Sequence, residues 1–311
     1  MALKKNPIEF TIGLDAEWLI LDGRKLIIEP VKDGKEHFSA DGSGYAKISE
    51  CRSKPFYCPL KVVDNVREIF QEQVNKKPHF FNFRWICGSH IRNKSLGLHE
   101  HFSLSKKIIN PQIAAQYLDE YVGSLSILIE NKEQGINRRK NYGFLRDFRE
   151  QKLYNGVEYR VFGSTLSSPH ATAAILALGK TVLYEVINNP SFKFNFHNFT
   201  YDDFAFANIH KIRSKFPAIW RDIEKMSLYP KYKKQIDFLA FLIRNKLTWH
   251  KRNPDIKAAW GIIKPISAPK PVIPIIKNVT MKPFDWGSLG VPATLWTADS
   301  QANNEFDEAT V

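Results

Sequence analysis

Four short segments carry charged or imidazole side chains two residues apart: Asp15-Ala16-Glu17, Glu50-Cys51-Arg52, His99-Glu100-His101 and Glu158-Tyr159-Arg160. Each sits in an apolar, strand-like context. On a strand, residues two apart project from the same face. If these strands share a sheet, one face gathers carboxylates, imidazoles and arginines from distant parts of the chain. A polar face on a single antiparallel strand is ordinarily just its solvated side. The set departs from that pattern, because solvated faces favour Lys, Thr and Ser. Carboxylate and imidazole are the donors that Mg²⁺ or Mn²⁺ would take. Several carboxylates on one face also repel each other unless cations lie among them. The face therefore reads as metal-binding. Asp41, in Asp41-Gly42-Ser43-Gly44, lies on the loop that feeds the Glu50 strand.

A second cluster lies between the histidine strand and the Glu158 strand. Arg138, Arg139, Arg146 and Arg149 fall within a dozen residues, interrupted by Tyr142-Gly143. Such a loop suits phosphate, which arginine grips by forked hydrogen bonds. A solvated basic loop is the alternative, and the position between two candidate metal strands favours phosphate.

The elements that must position these residues follow from pattern and punctuation. Residues 8–21 and 24–29 read as strands joined at Asp22-Gly23, a hairpin signal. A short strand over 46–52 follows. Pro59 opens a helix to about residue 75, with Val62, Val63, Val66, Ile69, Phe70 and Val74 at helical spacing. Residues 80–91 and 96–104 read as a strand pair. Asn110-Pro111 starts a helix to about Asn131. Residues 156–162 form a strand, and Ser168-Pro169 opens a helix that stops before Asn188-Asn189-Pro190. Two more helices are expected over 201–226 and 231–247. Strands and helices come in blocks rather than in βαβ alternation. That predicts an α+β fold with a largely antiparallel sheet and helices packed on one face. Residues 1–262 form the expected catalytic domain, and 263–311 an extended, Pro-rich and then acidic tail. Residues 280–298, with Phe284, Trp286 and Trp296, are expected to dock on the body.

Composition narrows the class without naming a function. The chain has 311 residues, 43% hydrophobic and 25% charged, as an ordinary globular protein has. No apolar run approaches the roughly 20 residues of a membrane span, and no signal peptide is read at the start. Cytoplasmic placement and no membrane partner are expected. Three cysteines, Cys51, Cys58 and Cys87, make no paired framework and are expected to be reduced thiols. The net charge of +13 attracts nucleotides, polycarboxylates or nucleic acid alike. It is concentrated before Pro283, since no Lys or Arg follows and five acids do.

Taken together, the motifs carry a resemblance. Gly13-Leu14-Asp15-Ala16-Glu17-Trp18 resembles the first catalytic strand of glutamine synthetases and glutamate–cysteine ligases. Asp41 with Glu50-Cys51-Arg52 is similar to a later acidic element of the same enzymes. Gly97-Leu98-His99-Glu100-His101-Phe102-Ser103 resembles their Gly-x-His-x-(His/Asn)-Phe-Ser strand, and Gly156-Val157-Glu158-Tyr159-Arg160 their late Glu-x-Arg strand. The chain most resembles the phage-type carboxylate–amine ligases, an amidoligase group, over roughly residues 8–190. The resemblance implies a catalytic sheet of the glutamine-synthetase type and an ATP-dependent ligase using Mg²⁺ or Mn²⁺. It implies Asp15, Glu17, Glu50, His99 and Glu158 as metal ligands, with His101 as a further candidate. It implies Arg52, Arg138, Arg139 and Arg146 for ATP phosphates, and Arg160 and Asp41 as catalytic groups. A carboxylate would attack the γ-phosphate and an amine would displace the acyl phosphate. Neither substrate is named by the motifs; a small amino acid, a peptide or a modified nucleobase all qualify. Asp15 departs from the Glu of the larger enzymes, which moves a metal nearer the strand or places water between. Two other classes compete: a basic nucleic-acid-binding protein without catalysis, and a metal-dependent amidohydrolase on a βα-barrel.

Overall fold

The computed structural model describes residues 6–27, 38–40, 48–249 and 255–265. Its frame is an antiparallel sheet built around one long strand, β1 (Ile12–Asp22). β2 (Lys25–Ile27) turns back on β1 at Gly23, whose φ of +56° suits glycine in the tight turn. β3 (Phe38–Ala40) and β4 (Ser49–Arg52) extend the sheet on one side, β4 pairing directly with β1. β5 (Arg84–Ile86) pairs with the end of β1, and β6 (His90–Ile91) with β7 (Lys94–Ser95) makes a separate small ribbon. β8 (Gly97–Phe102) lies on the other side of β1, followed by β10 (Gly156–Gly163) and the edge strand β9 (Phe148–Gln151).

Period-two alternation divides β1, β8 and β10 into two faces. Leu14, Ala16, Trp18, Leu98, Phe102, Val157, Tyr159 and Val161 are buried on the back face. Helices cover that face. α1 (Pro59–Lys76) begins at the expected proline and buries the expected stripe of Val62, Val63, Val66, Ile69, Phe70 and Val74. α2 (Pro111–Leu118) is capped by the Asn110 side chain, which accepts from the Gln112 amide at 2.9 Å. α5 (Pro169–Asn188) is capped by Ser168 and buried almost all round, because α8 (Tyr229–Arg244) packs on its far side. That enclosure explains a 20-residue apolar helix of membrane-spanning length inside this core. Gly179 lets α5 press on the sheet, since a methyl there would stand 2.5 Å from Glu100 Oε2. An aromatic cluster of Trp18, Phe70, Trp85 and Trp260 ties β1 to α1, β5 and the last turn, α9 (Ile256–Ala259).

Several elements differ from the sequence-based reading. The helix expected over 110–131 is interrupted at Asp119–Gly123 by a π-turn and resumes as α3 (Ser124–Ile127). There Asp119 accepts from the Tyr159 hydroxyl at 2.6 Å, and Gly123 leaves room for that hydroxyl. Tertiary contact with β10 thus replaces helical regularity. The basic loop expected after Gly135 is in part a helix, α4 (Lys132–Arg139), capped by Asn131. The helix expected over 201–226 is two: α6 (Tyr201–Ala205) and α7 (Ile209–Ile223). Ala207 takes a positive φ of 46° between them, and Asn208 caps the second. The strand expected over 80–91 starts instead as a 3-10 turn opened by Pro78.

Candidate active site

Strand register brings the four pairs together. Across the β1–β4 pair, Asp15 faces Arg52 and Glu17 faces Glu50. Across β1–β8, Asp15 faces His99, and across β8–β10, Glu158 faces His101. Asp15, Glu17, Glu50, Arg52, His99, His101, Glu158 and Arg160 therefore share the front face. This face borders a cleft of about 360 Å³, lined also by Ile48, Ser95, Tyr142, Arg149 and Gln151.

At its base, ligand atoms of Glu17, Glu50 and His99 lie within 4.8 Å of one another, and all three residues are buried. Burial first, and then the charges of Arg160 and Arg138, push the His99 pKa well below its ordinary value. The ring is thus a neutral imidazole at neutral pH, with a lone pair to give. Its Nδ1 lies 3.5 Å from Glu158 Oε1, while its buried Nε2 has no hydrogen-bond partner. A buried imidazole with one orphaned nitrogen, grouped with two buried carboxylates, fits a divalent cation, the donor set being hard oxygens and one imidazole. Glu17 is held by two donors on Oε2: the Gly97 amide at 2.5 Å and the Tyr142 hydroxyl at 2.6 Å. Burial, and then the Glu17 carboxylate, raise the Tyr142 pKa well above the phenol value, so the hydroxyl keeps its proton.

The sequence matches the family model of the phage phiEco32-like COOH.NH2 ligases, type 2, over residues 33–262. The chain belongs to that family. No curated protein matches it significantly. Among solved structures, the chain is similar to the ligase PafA in complex with the prokaryotic ubiquitin-like protein Pup, at 8% identity and a TM-score of 0.49. That likeness covers 78% of this chain and 66% of PafA. A bifunctional glutathione synthetase from Pasteurella multocida matches at 10% identity and TM-score 0.44, over 81% of this chain and 48% of its own. The Plasmodium falciparum glutamine synthetase matches at 10% identity and TM-score 0.42, over 76% and 72%. This chain thus spans less than two thirds of the first two.

In this COOH.NH2 ligase-family chain the expected site residues divide. Glu17, Glu50 and His99 form the tight trio. Asp15 lies beside it, 3.1 Å from His101 Nε2 and 4.0 Å from Arg52 Nε. Glu158 is ringed by Arg160 Nε at 3.3 Å, Arg149 Nη1 at 3.9 Å and the Gln151 amide. Both His101 nitrogens face protein groups, Asp15 on one side and the Tyr154 hydroxyl on the other. Burial opposes its charged form, but Asp15 and then Glu158 outweigh it and raise the pKa. The two histidines thus shift in opposite directions, His99 toward the neutral ring and His101 toward the charged one.

The structure separates the arginines of the cluster. Arg138 is fully buried, and its guanidinium donates to the carbonyls of Val161 and Arg160, both at 2.7 Å. Arg139 is buried against Glu130, which also accepts from Ser89 Oγ. Neither lines the cleft. Arg146 is exposed and outside the cleft lining, with a φ of +61° and its amide donating to Asp119 Oδ2 at 2.9 Å. Among the described residues, the guanidinium groups that line the cleft are Arg52, Arg149 and Arg160. Arg52 pairs with Glu50, and Arg160 with Glu158 and Asp147. Asp41 and residues 266–311 lie outside the described residues. Arg149 stood in the expected phosphate-gripping cluster but was given no role of its own, and Tyr142 and Gln151 were not expected as site residues. Arg149-Glu150-Gln151 has the same two-apart spacing as the other pairs, so that signal was present. Tyr142 offered none, because it reaches Glu17 across 125 positions of chain.

Proposed function

We propose that the protein is an ATP-dependent ligase that joins a carboxylate to an amine, with Mg²⁺ or Mn²⁺ in the cleft. One observation carries this reading: a buried Glu17–Glu50–His99 trio with an orphaned imidazole nitrogen, on the same face as three arginines. Family membership and the order of the four motifs support it. Glu17, Glu50 and His99 would hold one cation, and Asp15 and Glu158 would border a second. The metal would supply charge neutralisation on the phosphates. Arg160, Arg52 and Arg149 would stabilise the charge that develops on the transferring phosphoryl group. The substrate carboxylate attacks the γ-phosphorus and ADP leaves. The amine then attacks the acyl carbon, phosphate departs, and the ammonium proton passes to a carboxylate. Asp41 is the candidate acceptor.

The antiparallel sheet is not the parallel βα-barrel of the amidohydrolase alternative. ADP release from ATP and Mg²⁺, measured against pooled carboxylates and amines, tests the proposal. The expected result is release that needs both pools. ATP that neither binds nor turns over with Mg²⁺ or Mn²⁺ would overturn it.

A further inference from the structure

Tyr142 touches three different parts of the cleft. Its hydroxyl donates to Glu17 Oε2. Its ring lies 5.9 Å from the His99 ring in an edge contact. Two guanidinium groups lie over it, Arg138 Cζ at 4.3 Å and Arg160 Cζ at 4.9 Å from the ring centroid. Such cation–π contacts fix orientation as well as adding stability.

Two glycines make room for the side chain and its neighbours. A methyl on Gly97 would stand 2.9 Å from the Tyr142 hydroxyl and 2.5 Å from His99 Nε2. Gly143 follows with a φ of +84°, and a methyl there would collide with the Arg138 guanidinium. Arg138 is itself pinned by two backbone carbonyls of β10, so it serves as a fixed platform for the ring. The Gly143 amide donates to Asp147 Oδ2 at 2.5 Å, and Asp147 in turn faces Arg160 at 3.4 Å. A carboxylate is planar, so two donors on one oxygen set the direction of the other.

We propose that Tyr142 is a positioning residue: its hydroxyl aims the Glu17 carboxylate at a divalent cation, and its ring sets where the Arg160 guanidinium lies. The inference rests on the metal reading of Glu17, Glu50 and His99. Groups that hydrogen-bond a metal ligand are typically worth about 10–100-fold in affinity. Mn²⁺ alone is titrated into the full chain and free Mn²⁺ is followed by electron paramagnetic resonance. Tyr142→Phe, which removes only the hydroxyl, should weaken Mn²⁺ binding about 10-fold or more at an unchanged melting temperature. Tyr142→Leu, which also removes the ring, should in addition weaken MgATP binding beyond the loss seen in Tyr142→Phe. In a Glu17→Gln background, Tyr142→Phe should add little, because the hydroxyl acts through Glu17. Native Mn²⁺ affinity in Tyr142→Phe, with Glu17→Gln weakened, overturns this proposal and leaves the metal reading standing. Fully additive losses in the double variant also overturn it. Native affinity in Glu17→Gln overturns the metal reading and the Tyr142 proposal together.

Discussion

At the scale of single residues, the front face holds groups whose value to the fold and to chemistry have opposite signs. Glu17, Glu50 and Glu158 are buried acids on one face of the sheet, on β1, β4 and β10. Neutralising one relieves repulsion and desolvation cost, but removes a candidate ligand. Glu17→Gln and Glu158→Gln are each expected to lower ATP turnover at least ~10²-fold, as loss of a strong electrostatic contact does. The melting temperature of Glu17→Gln should be unchanged or higher, whereas Glu158→Gln also loses its ion pair with Arg160. Near-native turnover in either variant would remove that residue from the metal set. Arg139 behaves in the reverse sense. Breaking a buried ion pair strands its partner, here Glu130, at a cost of about 3–5 kcal/mol. Arg139→Ala should therefore show its effect in urea unfolding. An Arg139→Ala protein of native stability but weakened ATP binding would return this residue to the phosphate site.

At the scale of elements, the π-turn between α2 and α3 links the back of the sheet to the loop before β9. Asp119 in that turn accepts from the Tyr159 hydroxyl and from the Arg146 amide. Burial raises its pKa to about 8, against the pull of those two hydrogen bonds and of Arg146. The unfolded carboxyl titrates near ~3.9. Between those values the native state binds a proton that the unfolded state lacks, so this group's contribution falls as pH rises, by about 1.4 kcal/mol per pH unit. It is fully present below pH ~4 and is lost as pH rises through about 8. Asp119→Asn cannot titrate. The stability of the parent relative to Asp119→Asn should therefore decline from pH 5 to pH 8 in urea unfolding. A difference that stays constant across that range would mean that Asp119 is ionised throughout.

At the scale of the whole molecule, the excess of positive charge is shared by two functional classes. A protein of charge +13 will bind DNA at low salt whatever it does. An evolved nucleic-acid binder making about 6–10 phosphate contacts would lose roughly 10³–10⁵ in affinity between 50 and 200 mM salt, from a tight start. A ligase whose cleft arginines serve a nucleotide should start weak. Its residual DNA binding should yield to MgATP where Arg52, Arg149 and Arg160 are shared. Fluorescence anisotropy with a labelled duplex measures both. Tight binding at physiological salt, untouched by MgATP, would favour a nucleic acid as partner or substrate.

The amino-acid sequence by itself determined what is periodic and local. Alternation marked Asp15/Glu17, Glu50/Arg52, His99/His101 and Glu158/Arg160 as pairs sharing a face, because the side-chain period of a strand is two whatever surrounds it. Prolines and caps marked the starts of α1, α2 and α5 for the same reason, since their effect reaches only a turn of helix. Three outcomes were decided by tertiary structure alone. Arg138 and Arg139 went inward because the β10 carbonyls of Arg160 and Val161 accept from one and Glu130 pairs with the other. His99 and His101 parted company because one imidazole joins Glu17 and Glu50 in a tight trio and the other faces Asp15 and Tyr154. Tyr142 came to Glu17 across 125 residues of chain. Charge and spacing are written in the chain, but which guanidinium finds a carbonyl and which imidazole stays neutral depend on neighbours that only the packed molecule supplies.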